Sequence, residues 1–173
     1  MTDPQISSVY IHVPFCARQC SYCDFASAVG GRPNAEGWLA SISREWKERS
    51  QAAPLADQLD TLYIGGGTPS MLDGSTMARL RDVVGAGRLV GPDLEWTAEA
   101  NPESLTAKLV DEWLAVGINR ISLGIQTFHG PTLRWMGRAH GPEGAHAALT
   151  RMLNVELRSA TLDLIFGVPR ALG

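Results

Sequence analysis

The chain has 173 residues, of which 45% are hydrophobic and 19% charged, with a formal net charge of −3. That is room for one domain with a real core and an ordinary globular balance, with no sign of a nucleic-acid partner. No apolar run approaches the roughly 18 residues of a membrane span, and residues 1–8 are polar and lack a signal-peptide pattern.

Taken in order, Val9-Tyr10-Ile11-His12-Val13 is a β-branched and aromatic run ending at Pro14, which predicts a buried strand. Directly after it, Cys16-Ala17-Arg18-Gln19-Cys20-Ser21-Tyr22-Cys23 holds every cysteine of the chain. A Gly-Gly-Arg-Pro turn leads to Asn34, a helix cap, and Trp38, Leu39, Ile42 and Trp46 recur at helical spacing to about Arg49. A second strand over 61–64 runs into Gly65-Gly66-Gly67-Thr68-Pro69. Asp73 or Ser75 can cap a helix carrying Met77, Leu80, Val83 and Val84. A third strand over 94–99 ends before Asn101-Pro102. Thr106 then caps a helix with Leu109, Trp113 and Leu114 inward, stopped by Gly117. The fourth strand covers 120–126. A helical region broken at Gly141-Pro142 resumes to about Leu153, and a fifth strand covers 161–167.

Strands alternate with helices, and most strands are near-continuous apolar runs, so the pattern predicts a parallel sheet covered by helices. Polar groups collect where strands end. The cysteines follow the first strand and the glycines the second; Glu99 ends the third, Gln126 the fourth, and Asp163 lies within the fifth. A barrel's active face needs this arrangement. A Rossmann sheet would carry G-x-G-x-x-G where the cysteines stand. The expected fold class is therefore α/β: a partial TIM-type barrel of about four parallel βα units plus a fifth strand.

The cysteines are spaced C-x₃-C-x₂-C, and no fourth exists to complete a set. A [4Fe–4S] cluster usually takes four thiolates, so three leave one iron open, and an incomplete shell is where a substrate or cofactor binds. A Cys₃His zinc site with His12 is the alternative, although zinc ligands usually pair as two separated doublets. A disulfide leaves one thiol over, and inert cysteines would be expected to scatter through the core. Clustered thiols without an export signal fit a reducing cytoplasm.

The remaining candidates each have a plainer reading. Gly66, Gly67 and Thr68 let a backbone approach a ligand closely, or form a strand-to-helix turn. Glu99 and Gln126 are rim residues, or are partnered by a ribose diol or an amino-acid end of a cofactor. Arg138, taken singly, reads as a surface cation. Asp163 points into a polar barrel mouth or is paired. His12, His129, His140 and His146 invite a heme-ligand hypothesis, but none is assigned.

Together these stretches are specific. Tyr10-Ile11-His12-Val13-Pro14-Phe15-Cys16, Cys23-Asp24-Phe25, Gly65-Gly66-Gly67-Thr68-Pro69-Ser70, Glu99-Ala100-Asn101-Pro102-Glu103-Ser104, Ile121-Ser122-Leu123-Gly124-Ile125-Gln126 and Asp163-Leu164-Ile165-Phe166-Gly167-Val168-Pro169 resemble the coproporphyrinogen-dehydrogenase-like branch of the radical S-adenosylmethionine (SAM) superfamily. The resemblance implies that Cys16, Cys20 and Cys23 hold a [4Fe–4S] cluster whose open iron binds SAM. It implies that Tyr10, Tyr22, Gly66, Gly67, Thr68, Glu99, Gln126, Arg138 and Asp163 contact SAM. A reductant protein would supply the electron that cleaves the sulfonium to a 5′-deoxyadenosyl radical. The branch's porphyrinogen-decarboxylating members carry a further cysteine two positions past the last ligand, where Phe25 stands here. Cys23-Asp24-Phe25 is similar instead to the heme chaperone type, which binds and delivers heme. Oxidation of a porphyrinogen and a non-catalytic metal-binding domain are the alternatives.

Family members have about six βα units and a C-terminal domain, and Arg170-Ala171-Leu172-Gly173 leave their pattern. The whole chain, 1–173, is thus expected to be a radical SAM core incomplete at its C-terminus. A truncated or shifted reading frame, or a shortened chain, would produce this. The heme-binding residues would then lie in the missing part.

Overall fold

The computed structural model describes residues 5–169. Residues 1–4 of the polar N-terminus and the departure from the family pattern at 170–173 lie outside them. In chain order the elements are β1 (Ser8–Val13), β2 (Phe15–Cys16), β3 (Ala28–Val29), α1 (Ala35–Ala52), β4 (Thr61–Gly66), α2 (Gly74–Val84), β5 (Glu95–Ala100), α3 (Ala107–Val116), β6 (Arg120–Gln126), α4 (Gly130–Trp135), α5 (Pro142–Leu153) and β7 (Ser159–Leu164).

Five of the strands form one parallel sheet in the order β1-β4-β5-β6-β7. Each strand lies beside the next one in sequence, with none of the order reversals of a doubly wound sheet. The helices sit together as well: α1 packs on α2, and α2 on α3. A sheet wound in one direction with its helices side by side is part of a TIM-type barrel.

The strand faces are more sharply divided than their composition predicts. Leu62 and Ile64, Trp96 and Ala98, and Ile121, Leu123 and Ile125 are buried in one core with Leu39, Met77, Leu80, Leu109, Val110 and Trp113 of the helices. The alternate positions carry Tyr63, Thr97, Glu99, Arg120, Ser122, Thr161 and Asp163. These strands therefore have one apolar face on the helices and one polar face on the concave side.

The capping residues act as expected. Asn34 Oδ1 accepts from the Gly37 amide at 3.0 Å, Asp73 Oδ1 from Thr76 at 2.8 Å and Thr106 Oγ1 from Leu109 at 3.1 Å. Asp73, not Ser75, caps α2, and Ser75 donates to it. On α3 the buried positions are Leu109, Val110 and Trp113, with Leu114 only partly covered. The last strand starts earlier than its apolar run and stops at Leu164; the Ile165 amide still donates to the Gln126 carbonyl at 2.8 Å, and Phe166-Gly167 lie beyond the strand. Among the described residues no helix is long and apolar enough to cross a membrane.

Candidate functional site

The C-terminal ends of the strands surround a cavity of about 380 Å³. Its wall includes all three cysteines, together with Tyr22, Gly66, Gly67, Thr68, Glu99, Gln126, Arg138 and Asp163. Tyr10 does not line it. It stands on the outer strand β1, 57% exposed, with its ring stacked on Tyr63 at 5.8 Å, and it lines a separate groove between β1 and α1.

The cysteine loop is held at both ends. At its base β2 pairs with β3, the Gly30 amide donates to the Cys16 carbonyl at 2.9 Å, and His12 Nε2 lies 2.8 Å from the Ala26 carbonyl. At its crown the Ser21 amide donates to the Met136 carbonyl at 3.1 Å, and Ser21 Oγ to that of Trp135 at 3.0 Å. Within the loop Gln19 Nε2 donates to the Cys23 carbonyl at 2.7 Å. The loop is thereby tied to the end of α4, more than a hundred residues downstream.

The glycine turn comes up against this loop. Gly66 has φ 116°, which L-residues rarely adopt, and a Cβ there would lie 2.5 Å from the His12 ring. A Cβ on Gly67 would lie 2.5 Å from the Phe15 carbonyl oxygen and 3.0 Å from Cys16 Sγ. The Gly66 amide donates to Glu99 Oε2 at 3.0 Å, and Tyr63 OH donates to Glu99 Oε1 at 2.8 Å. Burial, and then the bond to Glu99, hold the Tyr63 phenol well above its usual range. Ser122 Oγ donates to Asp163 Oδ2 at 3.0 Å. Gln126 is the one non-glycine residue with positive φ among those described, at 66°. Left-handed backbone costs a side-chain-bearing residue about 1–2 kcal/mol and tends to persist at functional sites.

Arg138, an ordinary cation in sequence, lies at the centre of the wall. Its Nη2 donates to Asn101 Oδ1 at 2.6 Å and to the Gly124 carbonyl at 2.9 Å; its Nη1 lies 3.7 Å from Cys20 Sγ and 3.4 Å from Tyr22 OH. Burial works against its charge, but Tyr22, Glu103 and Cys20 more than offset that, so its pKa is raised. Burial also pushes the Tyr22 phenol up to about 12, against the lowering pull of Arg138.

The polar residues of this wall that escaped sequence reasoning include Tyr63, Asn101, Glu103 and Ser122. Glu103 Oε2 lies 3.1 Å from Nδ1 of the buried His140, whose Nε2 faces the Ile125 carbonyl at 3.2 Å. The other histidines are engaged elsewhere. Both ring nitrogens of His12 face partners, His129 Nδ1 lies 2.9 Å from Thr132 Oγ1, and His146 stacks on Phe128. His12 does not line the cavity; its ring nitrogens face Tyr10 OH and the Ala26 carbonyl.

The family model of the radical SAM superfamily matches residues 10–171. The chain belongs to that superfamily. It is 38% identical over 163 residues to the heme chaperone HemW of Escherichia coli (strain K12), covering 94% of this chain and 43% of that protein. It is 39% identical over 164 residues to the heme chaperone HemW of Mycobacterium tuberculosis, covering 93% and 42%. Among solved structures, the coproporphyrinogen III oxidase HemN of Escherichia coli, a radical SAM enzyme, superposes with a TM-score of 0.83 at 28% identity over 96% of this chain and 38% of that one. The chain thus spans about two fifths of the length of these relatives.

The superfamily as a whole implies a [4Fe–4S] cluster and SAM, and the cavity fits both. Three free thiols line it. Among the described residues no group of His, Cys, Asp or Glu is arranged for a single metal ion. One tetrahedral zinc would draw its sulfurs to within about 3.8 Å of one another, given Zn–S bonds of about 2.3 Å. A cube binds each thiolate through a different iron, so its ligands stand further apart. Next to the thiols the Gly67 backbone leaves space that any Cβ would fill. In the wall, Arg138 Nε is buried without a hydrogen-bond partner.

Proposed function

We propose that this chain is the cluster- and SAM-holding part of a radical SAM protein of the heme chaperone type. Cys16, Cys20 and Cys23 would hold three irons of the cluster. Gly66-Gly67-Thr68, which line the same cavity, would offer backbone polar groups to the amino-acid end of SAM. Glu99, Gln126 and Asp163, which line the cavity, would meet the ribose and the amino group. Arg138 would supply positive charge for the SAM carboxylate, and Tyr22 a surface for the adenine. Tyr10 would act from the outer strand by supporting Tyr63. When bound, the reduced cluster supplies the electron that cleaves the SAM sulfonium. A separate reductant protein in a reducing cytoplasm would provide that electron, and three free thiols suit such a compartment.

The observation that carries the chaperone reading is Phe25. It lines the cavity where the decarboxylating type has a cysteine, and it presents an apolar ring rather than a thiol. The relatives named heme chaperones support the same reading, and heme delivery is assigned to the whole protein. The second reading, oxidation of coproporphyrinogen III, draws on the superposition with HemN. Two anaerobic assays at the full length of the relatives separate the readings: ferric heme titration followed at the Soret band, and porphyrinogen turnover with SAM and reductant. Saturable heme binding without turnover is expected. Steady turnover would establish the oxidase instead.

A further inference from the structure

Asn101 belongs to no recognised ligand set, yet it joins two of the three thiols. Its Oδ1 accepts from Arg138 Nη2 at 2.6 Å, and its Nδ2 donates to Thr68 Oγ1 at 3.1 Å. Thr68 Oγ1 lies 3.6 Å from Cys16 Sγ, and Arg138 Nη1 lies 3.7 Å from Cys20 Sγ. An unbroken chain therefore runs from Cys16 through Thr68, Asn101 and Arg138 to Cys20.

The direction of every bond follows from one end. A guanidinium only donates, so the Asn101 atom facing it must be the carbonyl oxygen. The amide nitrogen then faces Thr68, whose oxygen accepts. The Thr68 hydroxyl hydrogen is left free to point at Cys16 Sγ. The Asn101 backbone is itself held: its backbone N–H donates to Ser70 Oγ at 3.0 Å, and its backbone carbonyl accepts from the Ser104 and Leu105 N–H groups, both at 3.1 Å.

We infer that Asn101 is a positioning residue. It aims a hydroxyl donor at Cys16 and a cationic donor at Cys20, so that two of the cluster thiolates are hydrogen-bonded through one chain. Donors to ligand sulfurs stabilise the more negative, reduced cluster and raise its potential. The inference rests on the reading that the three cysteines hold the cluster.

The test is a redox titration of the anaerobically reconstituted chain without SAM, followed by electron paramagnetic resonance. Asn101→Ala should shift the midpoint to more negative potential, and so should Thr68→Val. Because Asn101 acts partly through the Thr68 hydroxyl, Asn101→Ala should shift the potential less in a Thr68→Val background than alone. Equal shifts in both backgrounds, or no shift, would overturn the inference. Should Asn101→Ala fail to hold a cluster, Thr68→Ser and Thr68→Val decide: Ser should retain the wild-type potential and Val should not, and identical potentials would overturn it. If the wild-type chain took up no cluster, the underlying reading would fail instead.

Discussion

At the residue scale, Gly67 sets the clearance around Cys16. The atom nearest an added Cβ is a backbone oxygen, which cannot rotate away. Overpacking of this kind costs about 1–3 kcal/mol and would push β2 and its cysteine outward. Gly67→Ala is expected to lower iron bound per chain several-fold after anaerobic reconstitution. Gly87→Ala, where an added Cβ meets nothing within 4 Å, should leave it unchanged. Glu103 offers a pH test. Burial raises its pKa, but the bond to His140, its own backbone and the Arg138 charge outweigh that, so the folded value lies below the ordinary 4.5. A carboxyl lowered by folding stabilises the protein fully above its unfolded pKa, and that contribution is lost as the pH falls through the folded value. Glu103→Gln should therefore cost about 1 kcal/mol near neutrality, since the bond to buried His140 comes from a residue that is itself exposed and partly screened. The difference from wild type should shrink below about pH 4.5, as read by urea unfolding across pH. A difference that did not change with pH would mean that folding leaves the Glu103 pKa unshifted. The cysteines were legible because three thiols packed into so short a stretch suit a shared metal centre and little else. Asn101, Glu103 and Tyr63 were not, because their partners lie 33 to 37 positions away for Asn101, 37 for Glu103 and 36 for Tyr63.

At the scale of elements, Asp73 does most at a helix start. One carboxylate oxygen accepts from the Thr76 amide and hydroxyl and from the Ser75 hydroxyl. Asp73→Ala should cost about 1–2 kcal/mol, lowering the urea midpoint without altering cluster uptake. Asp73→Asn, which keeps an acceptor, should recover most of the loss. Caps of this kind act within three residues, so they could be read from sequence. The β2–β3 pair could not, since two residues carry no period and Ala28-Val29 has no strand pattern. Arg138 reads as a surface cation for the same reason: the loop between α4 and α5 has no periodicity, and only the sheet brings it beneath Cys20. The end of the last strand was misplaced because apolar content continues to Phe166 while pairing with β6 stops at Leu164.

At the scale of the molecule, the sheet has two outer strands, β1 and β7. At the end of β7, Leu164 is 60% exposed, and just beyond it Phe166 is 96% exposed. Among the described residues no strand pairs with the far edge of β7, and such an edge flanked by apolar side chains favours pairing with another strand. Light scattering of this chain should show concentration-dependent association, which Phe166→Asp reduces; association unchanged by that substitution would place the contact elsewhere. The parallel sheet was legible from the alternation of elements, and its barrel winding from the polar groups gathered where strands end. The polar lining of the concave face was legible only in part, since Arg120, Ser122 and Thr161 lie in strands that read as apolar. The proposed chemistry depends on an iron left open for SAM. The most direct measurement is the electron paramagnetic resonance spectrum of the anaerobically reconstituted, reduced chain with and without SAM. The expected result is a [4Fe–4S]⁺ signal that changes on adding SAM and is absent in Cys20→Ala. A cluster signal indifferent to SAM, or a metal centre that survives Cys20→Ala intact, would contradict it.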